Sequence, residues 1–156
     1  PQEPTFLNAT LRENILLSVQ DADAPDVSER LNQAIRAASL RRFLDVSRSG
    51  LDMDILDSGR TLPVGIRRRV ALARTLMNQG RLAIFDDPTE GLDSEGCQAV
   101  YGVLNALSKQ QVSIIVVTSD PNILKAAGYF MDMNTKPTPV IGVLRQPKSE
   151  DAPLAP

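Results

Sequence analysis

Apolar residues recur at helical spacing along much of the chain. Thr10 followed by Glu13 predicts a capping box and a helix to about Val19. Further apolar residues at helical spacing follow, at Leu31, Ile35, Ala38, Leu40, Phe43 and Leu44. The same reasoning predicts helices over residues 63–77, 93–108 and 122–127, with Pro63 suited to a first turn. Residues 47–58 read as a loop.

Four apolar runs predict strands. Residues 82–85 read as a short buried strand, and residues 112–118 form a β-branched run typical of a buried parallel strand. Weaker strands are predicted at 129–133 and 140–144, separated by turn residues at 134–139. Because helices alternate with apolar strands, the pattern predicts an α/β fold with a parallel sheet.

Composition narrows the class of protein. A chain of 156 residues with 42% hydrophobic and 23% charged residues is typical of one globular domain. The net charge of -2 gives no electrostatic reason to expect nucleic acid or an anionic membrane as a partner. The single Cys97 excludes an internal disulfide and favours a reducing compartment. The start at Pro1 suggests an excised fragment, and the Pro-rich, charged residues 145–156 predict disorder.

The strand at residues 82–85 leads directly into Asp86 and Asp87, and Asp93 follows one loop later. Carboxylates at the carboxyl end of a buried strand are typical of nucleotide hydrolases, which use them to hold Mg²⁺ and orient water. The usual partner motif, G-x-x-x-x-G-K-[ST], is absent, and the dipeptide Gly-Lys occurs nowhere in the chain. The sequence therefore predicts only part of such a site.

Several segments occur in a fixed order: Gln2, Thr10–Ile15, Asp57–Leu62, Gly65–Arg74 and Leu82–Asp93. In this order they resemble the latter part of an ABC transporter ATPase domain of the exporter or type I secretion kind, over about residues 1–144. The resemblance implies an α/β, partial P-loop NTPase (ABC ATPase) fold, with a parallel sheet flanked by helices plus a helical subdomain. It implies three parts: 1–79, the Q-loop and helical subdomain; 80–144, the Walker B half; and 145–156, a disordered tail.

The resemblance also implies a role for each matching position. Asp86 and Gln2 would bind Mg²⁺, while Asp87 and Ser119 stand at the positions of a catalytic glutamate and a switch histidine. The implied nucleotide-contacting positions are Gln2, Leu62, Pro63, Val64, Gly65, Ile66 and Asp93. ATP and Mg are the implied cofactors of the full-length protein, and none is expected for this chain alone.

Departures from the family pattern affect three elements together. Pro63 offers neither a hydroxyl nor an N–H, Val64 is branched where a glycine lets phosphate approach, and Ile66 is apolar where the family has a polar residue. Asp87 is one methylene shorter than glutamate, and Ser119 has no cationic form. Since the chain contains no histidine, no neighbour replaces the missing one. These changes predict a weakly active or inactive site.

Simple structural roles explain other positions. The run Arg67–Arg69 reads as a solvated helix face, Glu13 as a cap, Ser119 as a strand-end residue and Cys97 as a small buried residue. Apolar residues on the same helix as the arginines read as core: Leu72, Leu76 and Met77. A metal site made by the protein alone is not expected, because the only candidate metal ligands are carboxylates.

The resemblance implies two partners, the transmembrane domain of an exporter and a second nucleotide-binding domain. It places the native protein at the cytoplasmic face of the membrane, with the fragment itself soluble and without nucleic acid. In the family, a phosphate-loop strand lies between the strands predicted at 112–118 and 129–133. Without it, we expect those strands to rejoin directly, or the chain to pair or swap strands with a second copy.

Three functional hypotheses follow. The chain is part of an ATPase that powers export, or a degenerate non-catalytic module that assembles with an active half. A third, a soluble ABC protein of the DNA-repair or translation type, is disfavoured by the exporter-like residues Thr10–Ile15. The native sequence upstream of Pro1 separates the first two, because an intact phosphate loop there would favour the enzyme.

Overall fold

The computed structural model describes residues 4–78, 80–136 and 138–143, so Gln2 and the tail predicted at 145–156 lie outside the described residues. The chain divides into two compact units, Pro1–Val117 and Thr118–Pro156, each described by itself. Among the described residues, no helix combines the length and the apolar character needed to cross a membrane.

The first unit contains five helices and two small sheets in its described part. Its elements are β1 (Ala9–Thr10), α1 (Leu11–Ile15), α2 (Val27–Ala37), α3 (Arg41–Val46), β2 (Asp54–Ile55), α4 (Val64–Met77), β3 (Leu82–Asp86), α5 (Ser94–Lys109) and β4 (Ser113–Val117). Short 3₁₀ turns cover Gly50–Asp52 and Asp57–Gly59. β1 pairs antiparallel with β2, and β3 pairs parallel with β4 so that Asp86 lies opposite Val117. The predicted parallel pair is confirmed.

The described part of the second unit contains a short helix followed by a hairpin. It comprises α6 (Pro121–Ala126), β5 (Tyr129–Asp132) and β6 (Val140–Val143), with β5 and β6 antiparallel. Asp120 caps α6, because its carboxylate accepts from the Asn122 N–H at 2.8 Å. The predicted helix and both predicted strands are present, each within about two residues of the expected bounds.

The helix predicted from Thr10 to about Val19 is shorter than expected. Its capping box is present: the Thr10 hydroxyl accepts from the Glu13 N–H at 3.2 Å, and the Glu13 carboxylate accepts from the Thr10 N–H at 2.8 Å. The helix ends at Ile15. One reason is that the Asn14 carbonyl accepts from Arg74 Nε at 2.5 Å, a bond that competes with continuation of the helix.

α4 is the central element of the first unit and packs against α1, α2 and α5. The predicted core positions Leu72, Leu76 and Met77 are buried, as are Val70 and Ala73 on the same helix. The other helices contribute the fully buried side chains Leu11, Ile15, Val100, Val103 and Leu107. The helical spacing in the sequence thus identified the residues that hold α4 in place.

The β3–β4 sheet is less buried than the sequence predicted. Ala83 and Phe85 face the helices and are buried, whereas Leu82 and Ile84 on the other face are 53% and 67% exposed. β4 shows the same alternation, with Ile115 and Val117 exposed. The prediction of two fully buried strands is therefore wrong for one face, because the described helices cover only the other.

Asn14 anchors the segment that precedes α1. Its side chain is fully buried and donates to the carbonyls of Leu7 and Thr10, both at 3.0 Å. Its Oδ1 accepts from the Leu7 N–H at 3.0 Å and from Arg74 Nη2 at 2.8 Å. One amide thus satisfies backbone groups that the loop cannot satisfy by itself.

Phe6 completes this anchor. The Arg74 guanidinium lies 4.7 Å from the centre of the Phe6 ring, and Arg74 Nη1 donates to the Thr5 carbonyl at 2.6 Å. The ring also packs on Gly59, where an added Cβ would lie 2.8 Å from Phe6 Cδ2. Because Gly59 also has φ of 78°, glycine is required there for both space and conformation. The ring links the start of the chain to the loop before α4.

We predict that Asn14→Ala lowers the free energy of unfolding by about 3 kcal/mol, because it leaves the Leu7 and Thr10 backbone groups and Arg74 Nη2 without their hydrogen-bond partners. Asn8→Ala is the matched control: Asn8 is exposed and accepts one bond, from the Ser58 N–H at 3.0 Å. Its cost should stay below about 1 kcal/mol. Urea unfolding monitored by circular dichroism measures both free energies of unfolding. Equal decreases in the two variants would contradict the proposed anchoring role of Asn14.

Candidate functional site

Two carboxylates lie at the carboxyl end of β3. Asp86 is the last residue of the strand, and both it and Asp87 are exposed. The Asp87 N–H donates to the Val117 carbonyl at 2.9 Å, which extends the β3–β4 pairing by one bond. Asp87 has φ of 40°, a left-handed conformation that is uncommon outside glycine. The chain therefore turns sharply at this residue and its side chain leaves the line of the strand.

The loop from Asp87 to Asp93 is held partly by its own backbone. The Glu90 N–H donates to the Asp87 carbonyl at 3.1 Å, and the Leu92 N–H donates to the Thr89 carbonyl at 3.2 Å. Gly91 has φ of 64°. These turns bring the chain from the end of β3 to the first residue of α5.

Asp93 caps α5 and also contacts α4. Its Oδ1 accepts from the Gly96 N–H at 2.7 Å, so it satisfies a free donor at the helix N-terminus. The same oxygen lies 3.6 Å from Arg69 Nη2. Arg69 Nη1 donates to Glu95 Oε1 at 3.0 Å. The start of α5 is thus bound electrostatically to the second turn of α4.

The position of Arg69 shows that the interpretation of the arginine run as a solvated helix face was wrong for this residue. The run Arg67–Arg69 was expected to be a solvated face, but Arg69 is buried with 8% exposure and Arg68 donates to the Glu90 carbonyl. The sequence held a signal for this. Arg69 lies three residues before Leu72 and seven before Leu76, which places it on the buried stripe of α4.

The N-terminus of α4 carries the positions compared with a phosphate-contacting signature. Leu62 is buried, and Pro63 is the N-cap, with φ of −53° and ψ of 141°. Pro63 makes no side-chain capping bond, so the first N–H groups of α4 have no cap from this residue. Val64 is 48% exposed at the first helical position. Its branched side chain therefore stands at the surface where an anion would approach these N–H groups.

Several of the predicted residues line one cleft of about 440 Å³. Pro63, Gly65 and Ile66 come from the N-terminus of α4, and Asp93 and Glu95 come from the start of α5. Arg69 forms part of the wall, and α3 contributes Arg42, Phe43 and Val46. The structure thus brings the start of α4 together with Asp93.

Other predicted residues are placed elsewhere. Ser119 is exposed and belongs to the second unit, in the segment between β4 and α6. Gln2 lies outside the described residues. Cys97, expected to be buried, is half-buried, with Sγ 3.9 Å from the Leu92 carbonyl oxygen.

The described residues do not supply a complete cation site. Among residues 4–78, 80–136 and 138–143, no three His, Cys, Asp or Glu side chains cluster in a way that could hold a metal ion. Mg²⁺ is usually bound by one or two carboxylates together with water and substrate phosphates. Asp86 fits the role of one such carboxylate, and the remaining ligands would have to come from outside this chain's described part.

Comparison with known proteins finds similar sequences and a similar fold. A family model described as ABC transporter matches residues 1–90. The "Glutathione/L-cysteine transport system ATP-binding/permease protein CydD" of Haemophilus influenzae is 36% identical over 115 residues, which is 74% of this chain and 19% of that protein. The "Type I secretion system ATP-binding protein PrsD" of Rhizobium meliloti is 33% identical over 134 residues, which is 86% of this chain and 22% of that protein.

A solved structure shares the fold. The chain superimposes on a structure titled "Structure of a bacterial Atm1-family ABC exporter with ATP bound" with a TM-score of 0.72 and 23% identity. The match covers 84% of this chain and 22% of the other. The chain spans less than a quarter of the length of each of these three proteins.

We predict that Asp93→Ala lowers the free energy of unfolding by about 1–2 kcal/mol, because it removes the cap of α5. Asp93→Asn should cost less than Asp93→Ala, since its amide oxygen can still accept from the Gly96 N–H. Asp45→Ala, which removes an exposed ion pair with Arg41 at 3.1 Å, serves as control and should change stability by at most about 0.5 kcal/mol. Denaturant titration checks the order, and an Asp93→Asn variant as unstable as Asp93→Ala would contradict the capping role.

Proposed function

Because the chain belongs to the ABC transporter family, we propose that it is the latter part of an exporter's ATP-binding domain, from the Q-loop onward. One observation carries the proposal: the N-terminus of α4 and Asp93, at the start of α5, line the same cleft. The parallel strand β3 delivers Asp86 to the loop that leads there. We further propose that residues 1–79 and 80–144 act as the helical subdomain and the Walker B half.

In the complete protein, ATP and Mg²⁺ would be the ligands. Asp86 and Gln2 would hold Mg²⁺, which would supply charge neutralisation at the phosphates. Asp87 would orient the attacking water, Ser119 would bond near the transferred phosphate, and residues 62–66 with Asp93 would line the nucleotide contact. The transmembrane domain of the exporter and a second nucleotide-binding domain would be the partners, at the cytoplasmic face of the membrane.

A degenerate, non-catalytic module is the second candidate, and the N-terminus of α4 favours it. Pro63 caps that helix without a side-chain bond, and Val64 is exposed beside the first N–H groups of the helix. Asp87 is also shorter than glutamate. A shift of roughly 1 Å in a water-orienting group can cost about 10²-fold in rate. Under this reading, the chain would transmit motion or assemble with an active half.

Two tests on the complete subunit separate these candidates. The coding sequence upstream of Pro1 decides whether G-x-x-x-x-G-K-[ST] is present, and its absence would leave only the module. If it is present, hydrolysis should rise on introduction of Pro63→Ser, Val64→Gly, Asp87→Glu and Ser119→His. An unchanged rate would mean that the departures at these positions do not limit the reaction.

We predict that this chain by itself shows no saturable binding of Mg-ATP, because it has neither the phosphate cradle nor its lysine. Isothermal titration calorimetry with ATP, with and without Mg²⁺, measures this directly. Tight binding that depends on Mg²⁺ would contradict the proposed division of the site.

We also predict that the isolated chain self-associates through the β3–β4 sheet. Its exposed face carries Leu82, Ile84, Ile115 and Val117, and exposed apolar strands favour pairing with another chain. Ile84→Lys combined with Ile115→Lys should shift the chain toward monomer in sedimentation velocity. Val46→Lys, at a residue 79% exposed on α3, is the control and should not. A wild-type chain that stays monomeric at all concentrations would contradict the prediction.

A further inference from the structure

Two consecutive arginines of α4 reach the loop that joins β3 to α5. Arg68 Nη1 donates to the Glu90 carbonyl, in the middle of this loop. Arg69 Nη1 donates to Glu95 Oε1 at 3.0 Å, and Arg69 Nη2 lies 3.6 Å from Asp93 Oδ1, at the end of the loop. Both arginines therefore connect the second turn of α4 to the acidic loop.

Burial makes the contacts of Arg69 costly to break. Its side chain is 9% exposed, and a buried charge is costly unless it keeps its partners. Arg69 Nη1 also lies 3.2 Å from the Ser39 carbonyl, which accepts its N–H in the turn between α2 and α3. Arg69 Nε has no hydrogen-bond partner in the described structure. The guanidinium thus ties α4 to two other segments through its two terminal nitrogens.

The loop from Asp87 to Asp93 has an unusual backbone. It contains two left-handed residues, Asp87 and Gly91, and Glu90 and Gly91 are exposed. Left-handed conformations of non-glycine residues persist when surrounding contacts hold them. Arg68 binds the loop beside Gly91, where an added Cβ would lie 3.7 Å from Arg68 Nη1.

We propose that Arg68 and Arg69 are positioning residues that hold the Asp87–Asp93 loop against α4, so that this loop and the N-terminus of α4 move together. The importance of this coupling for ATP rests on the proposed function, since the loop carries Asp87 and Asp93. The coupling itself is a property of this chain and can be measured without nucleotide.

Cys97 reports on the position of the loop. It is the only cysteine, and its Sγ lies 4.0 Å from the Thr89 carbonyl oxygen and 3.9 Å from the Leu92 carbonyl oxygen. Opening of the loop exposes the thiol, so the rate of alkylation by iodoacetamide under native conditions follows the opened fraction. Arg68→Ala and Arg69→Ala should each raise this rate by roughly 5- to 30-fold, the change expected for losing one anchoring contact.

The Arg69→Lys variant tests whether the Arg69 guanidinium positions the loop through its hydrogen bonds or only fills space beside it. A lysine keeps the charge and can reach Glu95, but its single ammonium lacks the fork that serves Glu95 and Asp93 together. Its alkylation rate should fall between those of the wild type and Arg69→Ala. Arg41→Gln removes an exposed pair with Asp45 on α3 and one positive charge, as Arg68→Ala and Arg69→Ala do, and it should leave the rate unchanged.

Global stability is measured on every variant by urea unfolding, and amide exchange of residues 100–107 in α5 is followed alongside. The proposal expects faster alkylation of Cys97 while exchange in α5 stays at the wild-type level. It is overturned by an unchanged alkylation rate in Arg68→Ala and Arg69→Lys, by an equal rise in Arg41→Gln, or by a rise that matches the loss of global stability. Because no nucleotide is present, tight Mg²⁺-dependent ATP binding in calorimetry would contradict the proposed division of the site and leave this result standing.

Discussion

The bond network between Asn14 and Arg74 determines where the start of the described chain can lie. Asn14 is fully buried and satisfies the backbone of the segment before α1, while Arg74 reaches it from the last turn of α4. Burial lowers the pKa of the Arg74 guanidinium from its ordinary value, a desolvation cost that three oxygen acceptors and the Phe6 ring offset. Loss of the Asn14 side chain leaves Arg74 Nη2 without its acceptor, and loss of Arg74 leaves Asn14 Oδ1 with one of its two donors.

This constraint makes α4 a common frame for the proposed site. Its last turn holds the segment that follows Gln2, and its second turn holds the loop from Asp87 to Asp93 through Arg68 and Arg69. Its N-terminus carries the altered signature positions. The proposed function would place the departures from the family pattern in groups that touch a ligand, on a helix whose core-facing side is buried.

Local signals in the sequence predicted most of the elements and part of the site. The capping box of Thr10 and Glu13, the helices α4 and α5 and the parallel strands follow from spacing and propensity, which act between neighbouring residues. The bonds of Arg69 and Asn14 join residues 26 and 60 positions apart, so spacing within one helix did not reveal these partners. The exposure of one face of the β3–β4 sheet was not predicted, because an apolar run does not show whether one face or both faces of a strand are covered.

A double-mutant cycle on Asn14 and Arg74 tests the central constraint most directly. The free energies of unfolding of Asn14→Ala, Arg74→Ala and the double variant are measured by urea titration against the wild type. If the two side chains form one unit, the coupling energy should be about 1–3 kcal/mol, with the double variant little worse than the worse single one. Losses that add to within about 0.5 kcal/mol would contradict the account, because they would mean that each side chain stabilises the fold independently.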